Sequence, residues 1–102
     1  MVSVVFKQFD RLDVLINNGG IYKPERMINP NGLEATFVIN YLTPFLITNL
    51  LLNLLKNSES ARIVNVASRV QSNHIDLDDL QLEKGYIGVK AYAKSKSALI
   101  FF

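Results

Sequence analysis

Two short runs rich in branched apolar residues, held apart by one long apolar stretch at helical spacing, constrain this chain more than any other feature. Residues 12–16, Leu-Asp-Val-Leu-Ile, stop abruptly at Asn17, Asn18, Gly19 and Gly20, which is how a strand meets a sharp turn. Residues 62–67, Arg-Ile-Val-Asn-Val-Ala, end at Ser68 and read as a second strand. From residue 33 to about 56 apolar side chains dominate, interrupted only by Pro44. That pattern predicts one long, kinked, mostly buried helix, and Asn31 is placed to cap it. A strand, a crossover helix and another strand form a parallel unit, so the class is α/β and not a helical bundle.

The rest of the chain fits around this unit. Val2, Val5, Phe6 and Phe9 recur at helical spacing before the polar pair Asp10 and Arg11, so a short helix precedes the first strand. Residues 22–32 carry two prolines, two asparagines and a glycine, and are expected to form a loop. Residues 71–88 are polar, acidic around Asp76, Asp78 and Asp79, and read as an excursion loop with one helical turn. Helical character returns from Ala91 and runs into Ile100, Phe101 and Phe102 without a stop signal. Two parallel strands need neighbours and a cover on both faces. The expectation is therefore a central piece of a doubly wound fold.

Composition removes several function classes. With 102 residues, 49% hydrophobic and 20% charged, the chain is an ordinary globular one of a single domain at most. It has no cysteine, which excludes a disulfide framework and a thiolate nucleophile, and one histidine, His74, cannot build a metal shell. The aspartates of the acidic turn have no partner ligands at suitable spacing, so no metal site is expected. The formal charge of +2 comes from scattered basic residues and gives no nucleic-acid footprint. The most apolar stretch, residues 45–55, contains Thr48, Asn49 and Asn53 and falls short of the ~20 residues that span a bilayer. The start of the chain lacks the pattern of a signal peptide. A cytoplasmic protein is the expectation.

Tyr92 and Lys96 stand four apart in the last helical segment, which puts a phenol and an ammonium on one face, one turn from each other. A fixed positive charge favours phenolate over phenol, and a hydroxyl tuned this way can exchange a proton while a hydride moves. Tyr86 and Lys90 share the spacing, but Gly85 and Gly88 beside Tyr86 disfavour a helix there. Ser68 ends the second strand, and ligands of open α/β sheets bind outside the carboxyl ends of strands. Asn17, Asn18, Gly19 and Gly20 occupy the same end of the first strand, where glycines let backbone approach a ligand and Asn18 is expected to pin the local backbone. Asn40 is a polar amide inside an apolar helix and needs a partner.

Taken together, these residues resemble the short-chain dehydrogenases/reductases over nearly the whole chain. Residues 13–20, Asp-Val-Leu-Ile-Asn-Asn-Gly-Gly, are similar to the family's strand ending in Asn-Asn-Ala-Gly, with Gly19 in place of the alanine. Residues 40–48 resemble its central helix, residues 62–68 the strand that delivers its serine, and residues 92–96 its Tyr-x-x-x-Lys motif. The resemblance implies a Rossmann-type parallel sheet with flanking helices. It also implies a catalytic tetrad of Asn40, Ser68, Tyr92 and Lys96, and NAD or NADP held near Asn18, Gly19, Gly20, Tyr92 and Lys96. By the same token Ser68 orients the substrate oxygen, Tyr92 exchanges the proton, Lys96 tunes the tyrosine and binds the nicotinamide ribose, and Asn40 completes a relay through water. The implied partner is a small alcohol or carbonyl compound, with a homodimer or homotetramer formed through the long helices.

The interval from Ser68 to Tyr92, with Ile75-Asp76-Leu77-Asp78-Asp79-Leu80 inside it, looks most like the retinol-dehydrogenase-like branch. Residues 1–102 then correspond to the central part of one domain. The family's glycine-rich strand-turn-helix and its C-terminal substrate segment are not among them, so these residues alone are expected to be inactive. Two other readings compete: a catalytically inactive remnant that docks through its helices, and an epimerase, which shares Tyr-x-x-x-Lys. The Asn-Asn-x-Gly turn and the helix around Asn40 argue against the epimerase.

Overall fold

In a computed structural model of the chain, which describes residues 1–72 and 74–101, two parallel strands stand beside a broken central helix and a regular final one. Helix α1, Val2–Gln8, precedes β1, Val14–Asn17, and β2 is Arg62–Asn65. The strands pair in parallel with Val14 opposite Arg62 and Asn17 opposite Asn65, which bears out the expected α/β class. β1 starts two residues later than the apolar run that announced it and ends one residue beyond it, and β2 stops two residues short of its run. The Leu12 N–H donates to Leu54 O at 3.0 Å and so leaves the sheet ladder. At the other end the Asn17 amide, buried, donates to Asn65 Oδ1 at 2.8 Å and to Thr48 Oγ1 at 3.2 Å, tying both strands to a helix.

The predicted single helix over residues 33–56 is four pieces: α2, Ala35–Phe37; a π-helical segment, Val38–Leu42; α3, Thr43–Leu50; and α4, Leu52–Lys56. The disruption lies ahead of Pro44 and not at a simple proline kink. Pro44 has no N–H to donate into the ladder, and the wider turn just before it, closed by Thr43 N–H to Val38 O, absorbs the fault. Nor does Asn31 cap the helix. The carboxylate of Glu34 does, accepting from Thr36 N and Phe37 N at 2.8 Å each. Asn29 Oδ1 meanwhile takes the Asn31 and Leu33 N–H groups into a local turn.

Helix α5, Gly88–Ile100, starts at Gly88 instead of Ala91, and Phe102, which the expected helix included, lies outside the described residues. The excursion loop holds one 3-10 turn, Leu77–Asp79, capped by Asp76. His74 is exposed, as expected of a loop residue. Helix α5 packs on α2 and the π segment, and Phe37, Ala91, Ala98 and Leu99 are buried, as are Leu51, Leu54 and Leu55 further along the broken helix. The leucine-rich run is split, with Leu50 and Leu52 exposed. On the sheet Ile16 is 60% and Ile63 42% exposed, so it lacks the cover that parallel strands need. No helix among the described residues is long and apolar enough to cross a membrane, and no cluster of potential metal ligands occurs among them.

Candidate active site

The π segment delivers Asn40 into the interior, where it is fully buried. Its amide is used on three sides. Oδ1 accepts from Ile21 N at 2.8 Å, and Nδ2 donates to Ile21 O at 2.9 Å and to Ser95 Oγ at 3.0 Å. Ser95 in turn donates to the Tyr92 carbonyl at 2.7 Å. One polar chain therefore links the loop after β1, the broken helix and the turn of α5 that bears the tyrosine.

Lys96, also buried, donates to Val66 O at 3.2 Å just beyond β2, and its ammonium lies 5.8 Å from the centroid of the Tyr92 ring. Four residues of helical spacing thus bring phenol and ammonium together. Gly20 completes this corner: a Cβ there would stand 3.1 Å from Lys96 Nζ and 3.5 Å from Asn40 Oδ1. The close approach that its small size permits is to the lysine. The ring of Tyr22 meets that of Tyr92 edge-on at 6.2 Å, and among the described residues the Tyr92 hydroxyl has no hydrogen-bond partner.

Asn40, Tyr92 and Lys96 are therefore gathered, whereas Ser68 is not joined to them by any hydrogen bond. It is half-buried, its Oγ accepts from Val70 N at 3.1 Å, and its hydroxyl proton is not donated to any of the described residues. The pair Tyr86 and Lys90 behaves as its glycines suggested. Tyr86 precedes α5 and donates to Lys23 O at 2.7 Å, and Lys90 is exposed. In the turn after β1 one expectation is corrected: Asn18 is exposed and makes no hydrogen bond among the described residues, and it is Asn17 that ties the strand ends together. Gly19 faces open space, so the alanine-to-glycine departure has no steric consequence. Asn18 and Gly19 border a cleft of about 310 Å³ with Ile39, Thr43, Pro44 and Ile47, which Ser68, Tyr92 and Lys96 do not line.

Three contributors were hidden in the sequence. Ser95 sits within Tyr-x-x-x-Lys, where a small polar residue carries no pattern of its own. Glu34 and Lys94 are charged residues that no sequence motif singles out, yet Glu34 is fully buried and Lys94 is 5% exposed. Lys94 donates to Leu80 O and lies over the Phe37 ring at 4.9 Å. Burial pushes its ammonium below the ordinary lysine value, opposed in part by the charges of Glu34, Asp79 and Asp76. The one available signal was position: in a helix that buries Ala91, Ser95 and Ala98, residue 94 adjoins the same face.

A parallel α/β unit that brings a tyrosine, a lysine and an asparagine together at the carboxyl end of its strands is a piece of a Rossmann-type fold. Known proteins agree. Residues 1–102 match the short chain dehydrogenase family. Retinol dehydrogenase 14 of Homo sapiens is 47% identical over 93 residues, covering 90% of this chain and 28% of the human protein. The crystal structure of an uncharacterized protein from Mycobacterium Paratuberculosis superposes with a TM-score of 0.77 at 34% identity, over 93% of this chain and 35% of that one. NADPH-bound carbonyl reductase from chicken fatty liver gives a TM-score of 0.63 at 26% identity, over 97% and 41%. This chain belongs to the short chain dehydrogenase family. It spans less than a third of the length of the curated retinol dehydrogenases that it matches.

Proposed function

We propose that the protein containing this chain interconverts an alcohol and a carbonyl with NAD or NADP, and that Tyr92 exchanges the proton. The observation that carries this reading is a phenol hydroxyl without a partner among the described residues, on a ring beside a buried ammonium and a backbone turn anchored to Asn40. The residues present fit the cofactor. Lys96 spends one N–H on Val66, the Tyr92 hydroxyl is uncommitted, and Gly19 opens onto free space, so donors and room remain for ribose hydroxyls at Tyr92 and Lys96 and for backbone approach at Asn18, Gly19 and Gly20. When bound, the nicotinamide supplies hydride chemistry.

The remaining work falls to this chain. Tyr92 gives a proton to, or takes one from, the substrate oxygen, and Lys96 holds positive charge beside it. Ser68, whose hydroxyl proton is free, donates to the same oxygen and orients it. Asn40 has both amide N–H bonds committed, so its side chain keeps the turn and α5 in register. The names of the relatives make retinol the first substrate to assay. A second copy packing on the exposed α3 residues Leu46 and Leu50 is the assembly this reading implies.

In the full-length protein, Tyr92→Phe should abolish NAD(P)-linked turnover while changing stability by no more than about 0.5 kcal/mol. Tyr86→Phe should keep turnover and lose roughly 1 kcal/mol with its bond to Lys23. Turnover retained in Tyr92→Phe would remove that residue from the chemistry.

A further inference from the structure

We propose that Ser95 is a positioning residue, which sets the tyrosine's turn of α5 against the π segment and so fixes where the Tyr92 hydroxyl points. The assignment rests on the role given to Tyr92 above. Ser95 is fully buried, so it cannot touch a substrate and must act through other groups. Its single oxygen serves two of them, accepting from Asn40 Nδ2 at 3.0 Å and donating to the Tyr92 carbonyl at 2.7 Å.

A helix interior gives no reason of its own for a serine here. Alanine is the better helix former, and a serine that bonds back to its own helix tends to bend it. What the hydroxyl supplies is an acceptor for Asn40. The rest of the Asn40 amide holds both backbone groups of Ile21, next to Gly20. Gly20 in turn leaves room for Lys96, the neighbour of Ser95, whose ammonium reaches Val66 O. The bond from Asn40 to Ser95 holds α5 against the π segment and Lys96 holds it at the end of β2, while Lys94 and Ser97 tie it to Leu80 and Ser72 of the excursion loop. Removal of the Ser95 oxygen leaves an Asn40 N–H buried without an acceptor and frees the tyrosine's turn to shift. A displacement of about 1 Å at a reacting group costs on the order of 100-fold in rate.

The test is Ser95→Ala in the full-length protein, with Tyr92→Phe alongside. The fraction of sites that bind NAD(P)H is counted by cofactor fluorescence, and kcat is expressed per competent site. The expected result is a kcat about 10- to 100-fold lower with KM for substrate and cofactor within about threefold, because placement and not binding is lost. A residue that served stability alone would lower the melting temperature and leave kcat per competent site unchanged, and that outcome overturns the proposal. A Ser95→Ala protein that does not fold makes Ser95 a fold residue and overturns it equally. If Tyr92→Phe still turns over, the reading of Tyr92 falls first. If Tyr92→Phe is inactive and Ser95→Ala is as fast as the parent, only the Ser95 assignment falls.

Discussion

Gly88 shows how one missing methyl positions a helix. A Cβ there would stand 2.6 Å from Lys23 O and 2.9 Å from Pro24 Cα, both backbone atoms that cannot swing aside. The start of α5 therefore rests directly on the loop after β1, and the rest of that helix carries Tyr92, Ser95 and Lys96. Gly88→Ala gains helix propensity but forces these two backbones apart, so a net loss of about 1–3 kcal/mol is expected. Urea unfolding of the full-length protein checks it, and an unchanged midpoint would mean that the contact is slack. The same residue marks a limit of sequence reading. A glycine next to Tyr86 announced the absence of helix at the tyrosine, correctly, because propensity is local. That it also opened a helix depended on a contact with residues 23 and 24, which no local pattern shows. Tyr92 with Lys96 was legible because helical periodicity alone brings them together, whereas the orientation of the Ser68 hydroxyl depends on Val70 and its own loop.

Among elements, the broken central helix separates what pattern can reveal from what it cannot. Apolar spacing located the stretch and Pro44 announced a fault, but the form of the fault, a π segment that turns Asn40 inward, follows from contacts with Ile21 and Ser95 far along the chain. The cap was misplaced for a comparable reason. Asn31 and Glu34 both offer oxygens near the helix start, and the turn at Asn29 takes Asn31 out of reach. The excursion loop is held at Leu80 and Gln81 by α5, by the start of the broken helix and by the loop after β1. Lys94 donates to Leu80 O, Arg26 Nε to Gln81 O at 3.2 Å, and Glu34 N to Gln81 Oε1 at 2.6 Å. The price of this clasp is the desolvated Lys94 ammonium, and its effect on stability has a definite sign. With the folded value lowered from 10.5, the unfolded chain binds more protons between the folded value and 10.5. Stability from this group therefore rises with pH through that window and is flat below it. Urea midpoints taken at pH 8 and pH 10.5 should show that rise in the parent and a smaller one in Lys94→Met, so equal slopes in the two would contradict the buried charge.

At the scale of the molecule, the two-stranded sheet defines what residues 1–102 can do by themselves. Val14, Ile16, Ile63 and Val64 are each between 42% and 60% exposed, although parallel strands are stable when both faces are covered. Branched apolar residues made this sheet legible as the interior of something larger, and the chain does match less than a third of the length of its curated relatives. Of the groups proposed to meet the cofactor, this chain supplies Asn18, Gly19, Gly20, Tyr92 and Lys96, and Asn18 and Gly19 border an open cleft. Stabilisation by a ligand grows with its concentration relative to the dissociation constant, reaching about 2.7 kcal/mol at a hundredfold excess. A full-length protein that holds the cofactor on every side should show a clear rise in melting temperature at millimolar NAD(P). The 102-residue chain purified alone should show almost none, together with strong binding of a hydrophobic dye to its uncovered sheet. A cofactor-induced shift as large as that of the full-length protein would show instead that these few residues already form a complete binding surface.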